Sequence, residues 1–325
     1  MAAEKSIYFL NPDYGDLSLE AELLAGSRFR LVPLRVSSPE EVIEKAGDAV
    51  AIITVRTPIS REIASQLKDC KVITRLGVGY EIVNVAGCRS LGIEVCHVPD
   101  YGTEDVANHA IALLMAIHRR LPRYHREVAD GRWDCQATGP IQRLRESHLG
   151  IFGLGRIGSD FAAKMKAFVN EVSGYDPGLT RNQIMDRGVT PREPRELFER
   201  CDILSLHLPY TPENHHLISE KTIAQMRRKP LLINVSRGGL VDTKALVAGL
   251  RAGQISGAGL DVLEDEPEVD PELLECENVI VTPHAAWFSI QADQQLRTKA
   301  ITDILRVLAG ERPLYPVPQA ALRAE

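Results

Sequence analysis

The sequence predicts an α/β protein with two doubly wound parallel-sheet domains. Short apolar runs alternate with helical patterns along most of the 325 residues, and this alternation is typical of parallel sheets covered by helices. One complete α/β series ends near residue 98, before a second series begins near residue 149. A chain of this length also holds enough residues for two domains.

Composition and charge are those of an ordinary globular enzyme. Hydrophobic residues make up 44% and charged residues 25%, and the net charge is −6 without a long run of like charges. Neither a nucleic acid nor a membrane is therefore expected as a partner. The six cysteines are scattered without a C-x-x-C pair, which favours reduced thiols over a disulfide framework or a metal site. No secretory signal is visible at the N-terminus, so we expect a cytoplasmic protein.

The first domain is predicted from five strands and four helices. The apolar runs place the strands at 6–10, 29–34, 49–55, 71–76 and 93–97. The helical patterns lie between them, at 17–25, 39–46, 60–67 and 83–91. Asn84 can cap the last of these helices. Val98-Pro99 predicts the domain boundary, because a proline disfavours helix at the preceding residue.

The next element is predicted to be one long helix over residues 103–129, with Thr103 as its N-cap. Its apolar stripe is wide, from Ala110 to Ile117. A helix that is apolar nearly all round is buried, and a second subunit could cover part of it. We therefore expect a homodimer built on the second domain.

The most informative stretch follows, at residues 149–177. An apolar run leads into Gly153, Gly155 and Gly158 in the pattern G-x-G-x-x-G, then into a helical pattern and a second strand that ends at Asp176. The first glycine permits a tight turn, the second lets a pyrophosphate approach the helix N-terminus, and the third lets helix and strand pack closely. Asp176 would accept hydrogen bonds from the adenosine ribose. This combination predicts an NAD site and disfavours NADP.

Further polar residues follow later strands, predicted at 201–208, 230–235, 256–260 and 279–281 with helices at 219–227 and 243–252. The residues at these strand ends are His207, Arg237, Asp261 and His284. In open α/β sheets ligands bind beyond the carboxyl ends of the strands. An arginine, an acid and a histidine that face a nicotinamide form a hydride-transfer site. The last helical pattern, 291–308, is expected to return to the first domain.

Four motifs in this order, GLGRIG, NVSRGGLVD, LDVLEDEP and VTPH, resemble the D-isomer-specific 2-hydroxyacid dehydrogenases over nearly the whole chain. NHHLI and TPHAAWFS are most similar to the branch that contains the C-terminal-binding-protein co-repressors. The resemblance implies a flavodoxin-like substrate domain at 1–98, completed by a C-terminal helix at 291–325. A Rossmann NAD-binding domain would occupy 99–290. Residues 81–84 depart from the usual Asp-Asn-x-Asp, which bears on substrate choice, and the lack of a regulatory domain after residue 325 argues against an allosteric phosphoglycerate dehydrogenase.

The resemblance implies His284 as the acid/base, Arg237 as the residue that binds the substrate carboxylate, and Glu266 as the partner of His284. Glu264 and Asp265 are the alternatives to Glu266. Cofactor contacts are expected at Val78, Thr103, Gly153, Gly155, Arg156, Ile157, Gly158, Asp176, His207, Pro209, Val235, Ser236, Asp261 and His284. Substrate contacts are expected at Arg56, Arg75, Val78, Gly79, Tyr101, Arg237 and Trp287. Among these, the amides of Val78 and Gly79 would hold the carboxylate, and Asp261 would face the nicotinamide carboxamide.

The expected function is an NAD-dependent D-2-hydroxyacid dehydrogenase, or 2-oxoacid reductase, that acts on a small 2-oxo or 2-hydroxy acid in a cleft between the domains. The alternative is an NAD(H)-sensing co-repressor or scaffold of the C-terminal-binding-protein type, since those relatives keep the same Arg–Glu–His set. An L-lactate/malate-type dehydrogenase is excluded, because such enzymes usually open with the dinucleotide motif and here a full α/β domain precedes Gly153.

Overall fold

A computed structural model of the chain describes residues 4–13 and 15–318. It separates into two compact units. Unit 1 comprises Met1–Tyr101 and Ser289–Glu325, and unit 2 comprises Gly102–Phe288. The end of the predicted C-terminal segment, 319–325, lies outside the described residues.

Unit 1 contains a five-stranded parallel sheet. Its strands are β1 (Lys5–Leu10), β2 (Phe29–Leu34), β3 (Ala51–Thr54), β4 (Val72–Arg75) and β5 (Glu94–Cys96). The first helices are α1 (Ser18–Leu24), α2 (Pro39–Ala46), α3 (Arg61–Gln66) and α4 (Val85–Ser90). The strand order β2-β1-β3-β4-β5 is that of the flavodoxin-like folds, so the predicted fold class of this unit is confirmed.

Local sequence explains how these elements begin. Asn84 Oδ1 accepts a hydrogen bond from the backbone N–H of Gly87 at 2.6 Å, which confirms the predicted cap of α4. Ser38 and Ser60 cap α2 and α3 in the same way. Strand β3 is buried along its whole length, as expected for a central parallel strand with helices on both faces.

Unit 2 contains a seven-stranded parallel sheet. Its helices are α5 (Thr103–His118), α6 (Leu121–Ala129), α7 (Arg156–Met165), α8 (Arg181–Asp186), α9 (Pro194–Arg200), α10 (Glu220–Ile223), α11 (Thr243–Arg251) and α12 (Pro271–Leu274). Its strands are β6 (His148–Phe152), β7 (Glu171–Tyr175), β8 (Thr190–Pro191), β9 (Ile203–Leu206), β10 (Leu231–Asn234), β11 (Gly257–Leu260) and β12 (Val279–Val281). The order is β12-β11-β10-β9-β6-β7-β8. The winding direction reverses between β6 and β9, and that reversal is where a doubly wound sheet binds its ligand.

The prediction of one helix over residues 103–129 is wrong. Helix α5 ends at His118, Arg120 adopts a left-handed φ of 55°, and α6 starts at Leu121. Pro122 explains the break, because it cannot donate to the carbonyl of His118 and is tolerated only in the first turn of a new helix. Thr103 is likewise not the N-cap. The cap is Gly102, and Thr103 is the first helical residue.

The elements between 180 and 200 were missed by the sequence patterns. Helices α8 and α9 are short and their surface is polar, so they carry little apolar periodicity. Strand β8 has two residues, one of them Pro191, and lies at the edge of the sheet, where proline is tolerated.

The last helix, α13 (Ile290–Leu308), belongs to unit 1. Arg297 of this helix forms a buried bidentate pair with Glu20 of α1, with N–O distances of 2.6 and 2.5 Å. Within residues 4–13 and 15–318, no helix combines the length and the apolar character needed to cross a membrane.

Candidate active site

The turn after β6 requires glycine at two positions for reasons of chain packing. Gly153 has a φ of +93°, and a Cβ there would lie 2.5 Å from the backbone nitrogen of Leu208. A Cβ on Gly158 would lie 2.0 Å from the carbonyl oxygen of Gly153. Both distances are far shorter than a normal contact, so glycine at these positions lets α7 pack on the turn after β6 and lets that turn pack on the loop after β9.

Gly155 is different, since a Cβ there would meet no atom of the described chain within 4 Å. It is the N-cap of α7, and the first amides of a helix have no intrahelical acceptor. Arg156 and Ile157 supply the next two backbone positions of this turn. An open surface above a positive helix end fits the pyrophosphate of a dinucleotide.

Asp176 follows β7 and is bound to this turn. Its Oδ2 accepts a hydrogen bond from the backbone N–H of Leu154 at 2.7 Å, and its Oδ1 accepts one from Gly178 at 2.8 Å. A carboxylate offers about four acceptor positions, so these two bonds leave capacity for ribose hydroxyls. The residue therefore lies where a dinucleotide-binding acid is needed.

His207 follows β9 on the other side of the reversal point. Its backbone N–H donates to Phe152 at 2.7 Å, and its Nε2 lies 2.8 Å from Ser205 Oγ. Among the described residues, its buried Nδ1 has no hydrogen-bond partner. Burial lowers the pKa of His207 to about 3, so the imidazole is neutral beside the glycine turn.

The turn after β10 carries Arg237 and is held from within. Buried Asn234 accepts from the N–H of Ser236 at 3.1 Å and donates to the carbonyl of Arg237 at 2.9 Å. The Ser236 hydroxyl donates to the carbonyl of Leu208, which precedes Pro209. This bond joins the loops after β9 and β10, so the predicted cofactor residues Pro209, Val235 and Ser236 lie on adjacent loops.

Asp261 organises the turn that carries His284. Its carboxylate accepts hydrogen bonds from Thr282 Oγ1 at 2.5 Å and from the N–H groups of Ala285 and Ala286 at 2.8 and 2.9 Å. The residue is only 2% exposed. Its structural role is therefore to fix the turn after β12, and contact with the nicotinamide stays a prediction.

His109 of α5 completes this network, because its Nε2 lies 3.0 Å from Thr282 Oγ1. Sequence reasoning missed both residues. The available signals were a histidine directly before the apolar stripe of α5 and a threonine directly before the Pro-His of the motif.

Three acids were candidates for the partner of His284, and it is Glu266 that reaches it. Glu266 Oε2 lies 2.8 Å from His284 Nδ1, and Oε1 accepts the backbone N–H of Leu263 at 2.9 Å. Glu264 is instead bound to His216, with 2.5 Å between Oε1 and Nε2. His284 has a left-handed φ of 54°. Because Nδ1 is bound to Glu266, proton exchange would fall to Nε2, the other ring nitrogen of His284, and this role stays a prediction.

Unit 1 carries the residues predicted to hold the substrate carboxylate, on the loop after β4. Gly77 has a φ of +140°, and a Cβ there would collide with the guanidinium of Arg75. The carbonyl of Val78 lies 2.7 Å from His97 Nδ1, which is buried. This contact fixes the backbone orientation at Val78 and hence of the following amide, Gly79.

The other predicted substrate residues differ in their surroundings. Arg56 is exposed after β3, and its guanidinium lies 3.9 Å from Asp13. Tyr101 is half-buried at the end of the first segment of unit 1. Trp287 belongs to unit 2, where it packs near Gly102 at the start of α5.

The strand order of unit 2 and the glycine turn after β6 define a Rossmann-type dinucleotide-binding domain. Residues 111–286 match the family described as D-isomer specific 2-hydroxyacid dehydrogenase, NAD binding domain. The chain belongs to this family.

Named relatives agree with this assignment. The chain is 36% identical over 274 residues to a D-3-phosphoglycerate dehydrogenase from Methanocaldococcus jannaschii, with 84% of this chain and 52% of the relative covered. It is 35% identical over 292 residues to a glyoxylate reductase from Korarchaeum cryptofilum, with 88% of each chain covered. The chain thus spans about half the length of the first relative and most of the second.

A solved D-lactate dehydrogenase from Aquifex aeolicus, in complex with NAD and lactic acid, has a TM-score of 0.84 at 29% identity, with 94% of this chain and 96% of that chain covered. These relatives are named as enzymes and support a nicotinamide dinucleotide as cofactor. They give no support to the co-repressor alternative, and the predicted likeness to that branch is not confirmed.

Proposed function

We propose that the protein interconverts a small 2-oxo acid and the corresponding D-2-hydroxy acid with NAD(H). The observation that carries this proposal is the His284–Glu266 pair on a turn fixed by Asp261. Strands β6 and β9 to β12 are parallel neighbours. Their loops therefore place the histidine pair at the same sheet edge as the glycine turn that fits a pyrophosphate.

The proposed chemistry starts from the tautomer in which His284 carries its proton on Nδ1 and donates a hydrogen bond from this N–H to Glu266. In oxidation, Nε2 takes the proton of the substrate hydroxyl, and in reduction the protonated Nε2 donates to the 2-oxo oxygen. Glu266 orients the ring and compensates the charge that the ring then carries. Arg237 binds the substrate carboxylate through its planar fork. The nicotinamide, when bound, accepts or supplies the hydride at the substrate α-carbon.

NAD(H) is the proposed cofactor in preference to NADP(H). Asp176 lies beside the glycine turn, where its carboxylate would repel a ribose 2′-phosphate. Pro177 and Gly178 follow it and offer no cation to offset that repulsion.

The substrate is proposed to be a small 2-oxo acid or the corresponding 2-hydroxy acid, the classes to which the glyoxylate, 3-phosphoglycerate and lactic acid named in the relatives belong. The backbone amides of Val78 and Gly79 are proposed to bind its carboxylate, since His97 fixes the loop that carries them. Arg75 and Arg56 end or follow neighbouring strands of unit 1, and two cations there favour a second anionic group on the substrate.

A homodimer is also proposed, built on unit 2 as the sequence led us to expect. The apolar stripe of α5 is covered only in part within unit 2: Leu113, Leu114 and Ile117 are buried, whereas Ile111 and Met115 are half-buried and Ala112 is exposed. On α6 and just beyond it, three apolar side chains are also exposed: Leu121 is 54%, Val128 49% and Trp133 90% exposed. A second copy that covers this segment would bury them. Sedimentation of wild type and Trp133→Ser at micromolar concentration tests this, and a monomeric wild type would contradict it.

The function is tested with a panel of 2-oxo acids, including glyoxylate, pyruvate and hydroxypyruvate, assayed with NADH and with NADPH. The expected result is turnover of at least one acid by wild type and its loss in His284→Asn. This variant should still bind NADH, because the glycine turn and Asp176 are unchanged. Absence of turnover across the panel by a folded, NADH-binding wild type would contradict the proposal.

A further inference from the structure

The loop that carries Glu266 holds a second glutamate–histidine pair. Glu266 binds His284, and two residues earlier Glu264 binds His216, with 2.5 Å between Oε1 and Nε2. The second pair lies outside the proposed chemistry. Glu264 is nevertheless adjacent to Leu263, whose backbone N–H holds the other oxygen of Glu266 at 2.9 Å.

His216 is also fixed to the loop that carries Arg237. Its backbone N–H donates to the carbonyl of Gly239 at 2.9 Å, and the pairing continues with Ile218 N–H to Leu240 at 2.9 Å. His216 adopts a left-handed φ of 53°. This conformation is uncommon for a residue with a side chain and persists only where the surroundings determine it.

The Arg237 loop and the Glu266 loop are themselves in direct backbone contact. A Cβ on Gly238 would lie 1.8 Å from the carbonyl oxygen of Leu263, so the two chains pass each other as closely as glycine permits. His216 joins the same two loops a second time, through its backbone on one side and its imidazole on the other. The relative position of the two loops is thus set at two points.

The His216–Glu264 geometry is that of a hydrogen-bonded pair. His215 stacks on His216 with ring centroids 3.7 Å apart, and Glu264 completes a group of three possible metal ligands. Two ligands of one tetrahedral zinc ion, each at about 2.0 Å from the metal, lie roughly 3.3 Å apart. The observed 2.5 Å is shorter, and Asp242 lies 3.8 Å from the other ring nitrogen of His216.

We propose that His216 and Glu264 are positioning residues for the proposed reaction. Together they hold the Glu266 loop in register with the Arg237 loop, so that the acid/base pair and the carboxylate-binding arginine keep one relative geometry. This inference rests on the proposed function for its kinetic consequence. The geometric consequence, the orientation of His284, does not depend on turnover.

The kinetic test compares His216→Gln, Glu264→Gln and the double variant with wild type. Matched controls are His125→Gln and Asp265→Asn, which make the same changes at exposed positions outside this pair. Each single variant of the pair should lower kcat on the order of tenfold, and the double variant should be no worse than either, as expected for one coupled interaction. NADH affinity and Tm should stay near wild type in all five variants.

The second readout is the ¹⁵N chemical shift of His284 Nδ1 in protein labelled at histidine, with the signal assigned by its loss in His284→Asn. The shift should move in His216→Gln and Glu264→Gln toward its value in Glu266→Gln, and stay unchanged in the controls. If wild type turns over no 2-oxo acid, the proposed function fails, while this shift still decides the positioning role. An unmoved shift together with wild-type kinetics, or additive losses in the double variant, would overturn the proposal.

Discussion

Both carboxylate oxygens of Glu266 are engaged, one by the Nδ1 of His284 and the other by the backbone of Leu263. Oε2 lies 2.8 Å from His284 Nδ1, and Oε1 accepts the N–H of Leu263 at 2.9 Å. A carboxylate bound at both ends cannot rotate freely, so the imidazole ring is held in one orientation. This arrangement fixes the tautomer as well as the direction of Nε2.

The first prediction concerns the charge of this carboxylate. Glu266→Gln keeps the shape but puts an amide where two acceptor oxygens are required, and it leaves the ring without a compensating charge. We expect kcat to fall by about 10²-fold, with NADH affinity unchanged. Steady-state kinetics and NADH fluorescence titration measure the two effects. Asp265→Asn is the matched control, and an equal loss in that variant would contradict the assignment of Glu266.

The second prediction separates the two kinds of glycine in the turn after β6. Gly155→Ala adds a methyl group in open space, so the protein should keep its Tm while NADH binds at least about tenfold more weakly. Gly158→Ala places a Cβ 2.0 Å from the Gly153 carbonyl and should destabilise unit 2 by about 2 kcal/mol. Thermal unfolding and NADH titration of both variants provide the comparison. A Gly155→Ala protein with wild-type NADH affinity would show that no phosphate approaches this point.

The third prediction concerns cofactor choice. Asp176→Asn removes the negative charge but leaves an oxygen that can accept the Leu154 N–H. The ratio of kcat/KM with NADH to that with NADPH should fall at least about tenfold, because the repulsion of the 2′-phosphate is relieved. Asp186→Asn, at an exposed position in the same unit, should leave the ratio unchanged. Equal use of both cofactors by wild type would remove the basis of the prediction.

The fourth prediction follows from the buried imidazole of His207. Burial lowers its pKa to about 3, whereas in the unfolded chain the value is about 6.5. Between these values the unfolded chain binds the extra proton, so stability is lost as pH falls below about 6.5. From pH 7 to pH 5 the loss is up to about 2 kcal/mol.

In His207→Gln, the free energy of unfolding of unit 2 should fall by up to about 2 kcal/mol less between pH 7 and pH 5 than it does in wild type. The measurement is the unfolding of wild type and variant at pH 7 and pH 5. His125→Gln, the same change at an exposed position of α6, should retain the wild-type dependence. Parallel curves for wild type and His207→Gln would be incompatible with a neutral, buried His207.

Much of the fold was predictable because its signals are local. A parallel strand that is buried on both faces appears in the sequence as a continuous apolar run. Such runs predicted the positions of all five strands of unit 1 to within a few residues. The helix break at Arg120 was missed because the apolar pattern of α5 outweighed Pro122. Strand β8 has only two residues, too few for any periodicity.

The site was only partly predictable for a related reason. Residues at strand ends, such as Arg237 and His284, can be named because sheet topology brings strand ends together. The residues that hold them cannot be found in this way. His109 is 173 positions from Thr282, and His216 is 48 positions from Glu264. Such pairs depend on packing between distant segments, which a single sequence does not encode in a local pattern.

The bidentate pair between Glu20 and Arg297 spans 277 positions of the chain, with all of unit 2 encoded between its members. During synthesis the N-terminal segment emerges first, but its buried glutamate has no partner until α13 has been translated. Unit 2 is continuous in sequence, and all of its strands are translated before α13. Unit 2 should therefore complete its fold on the ribosome before unit 1 does, although the translation of unit 1 begins first.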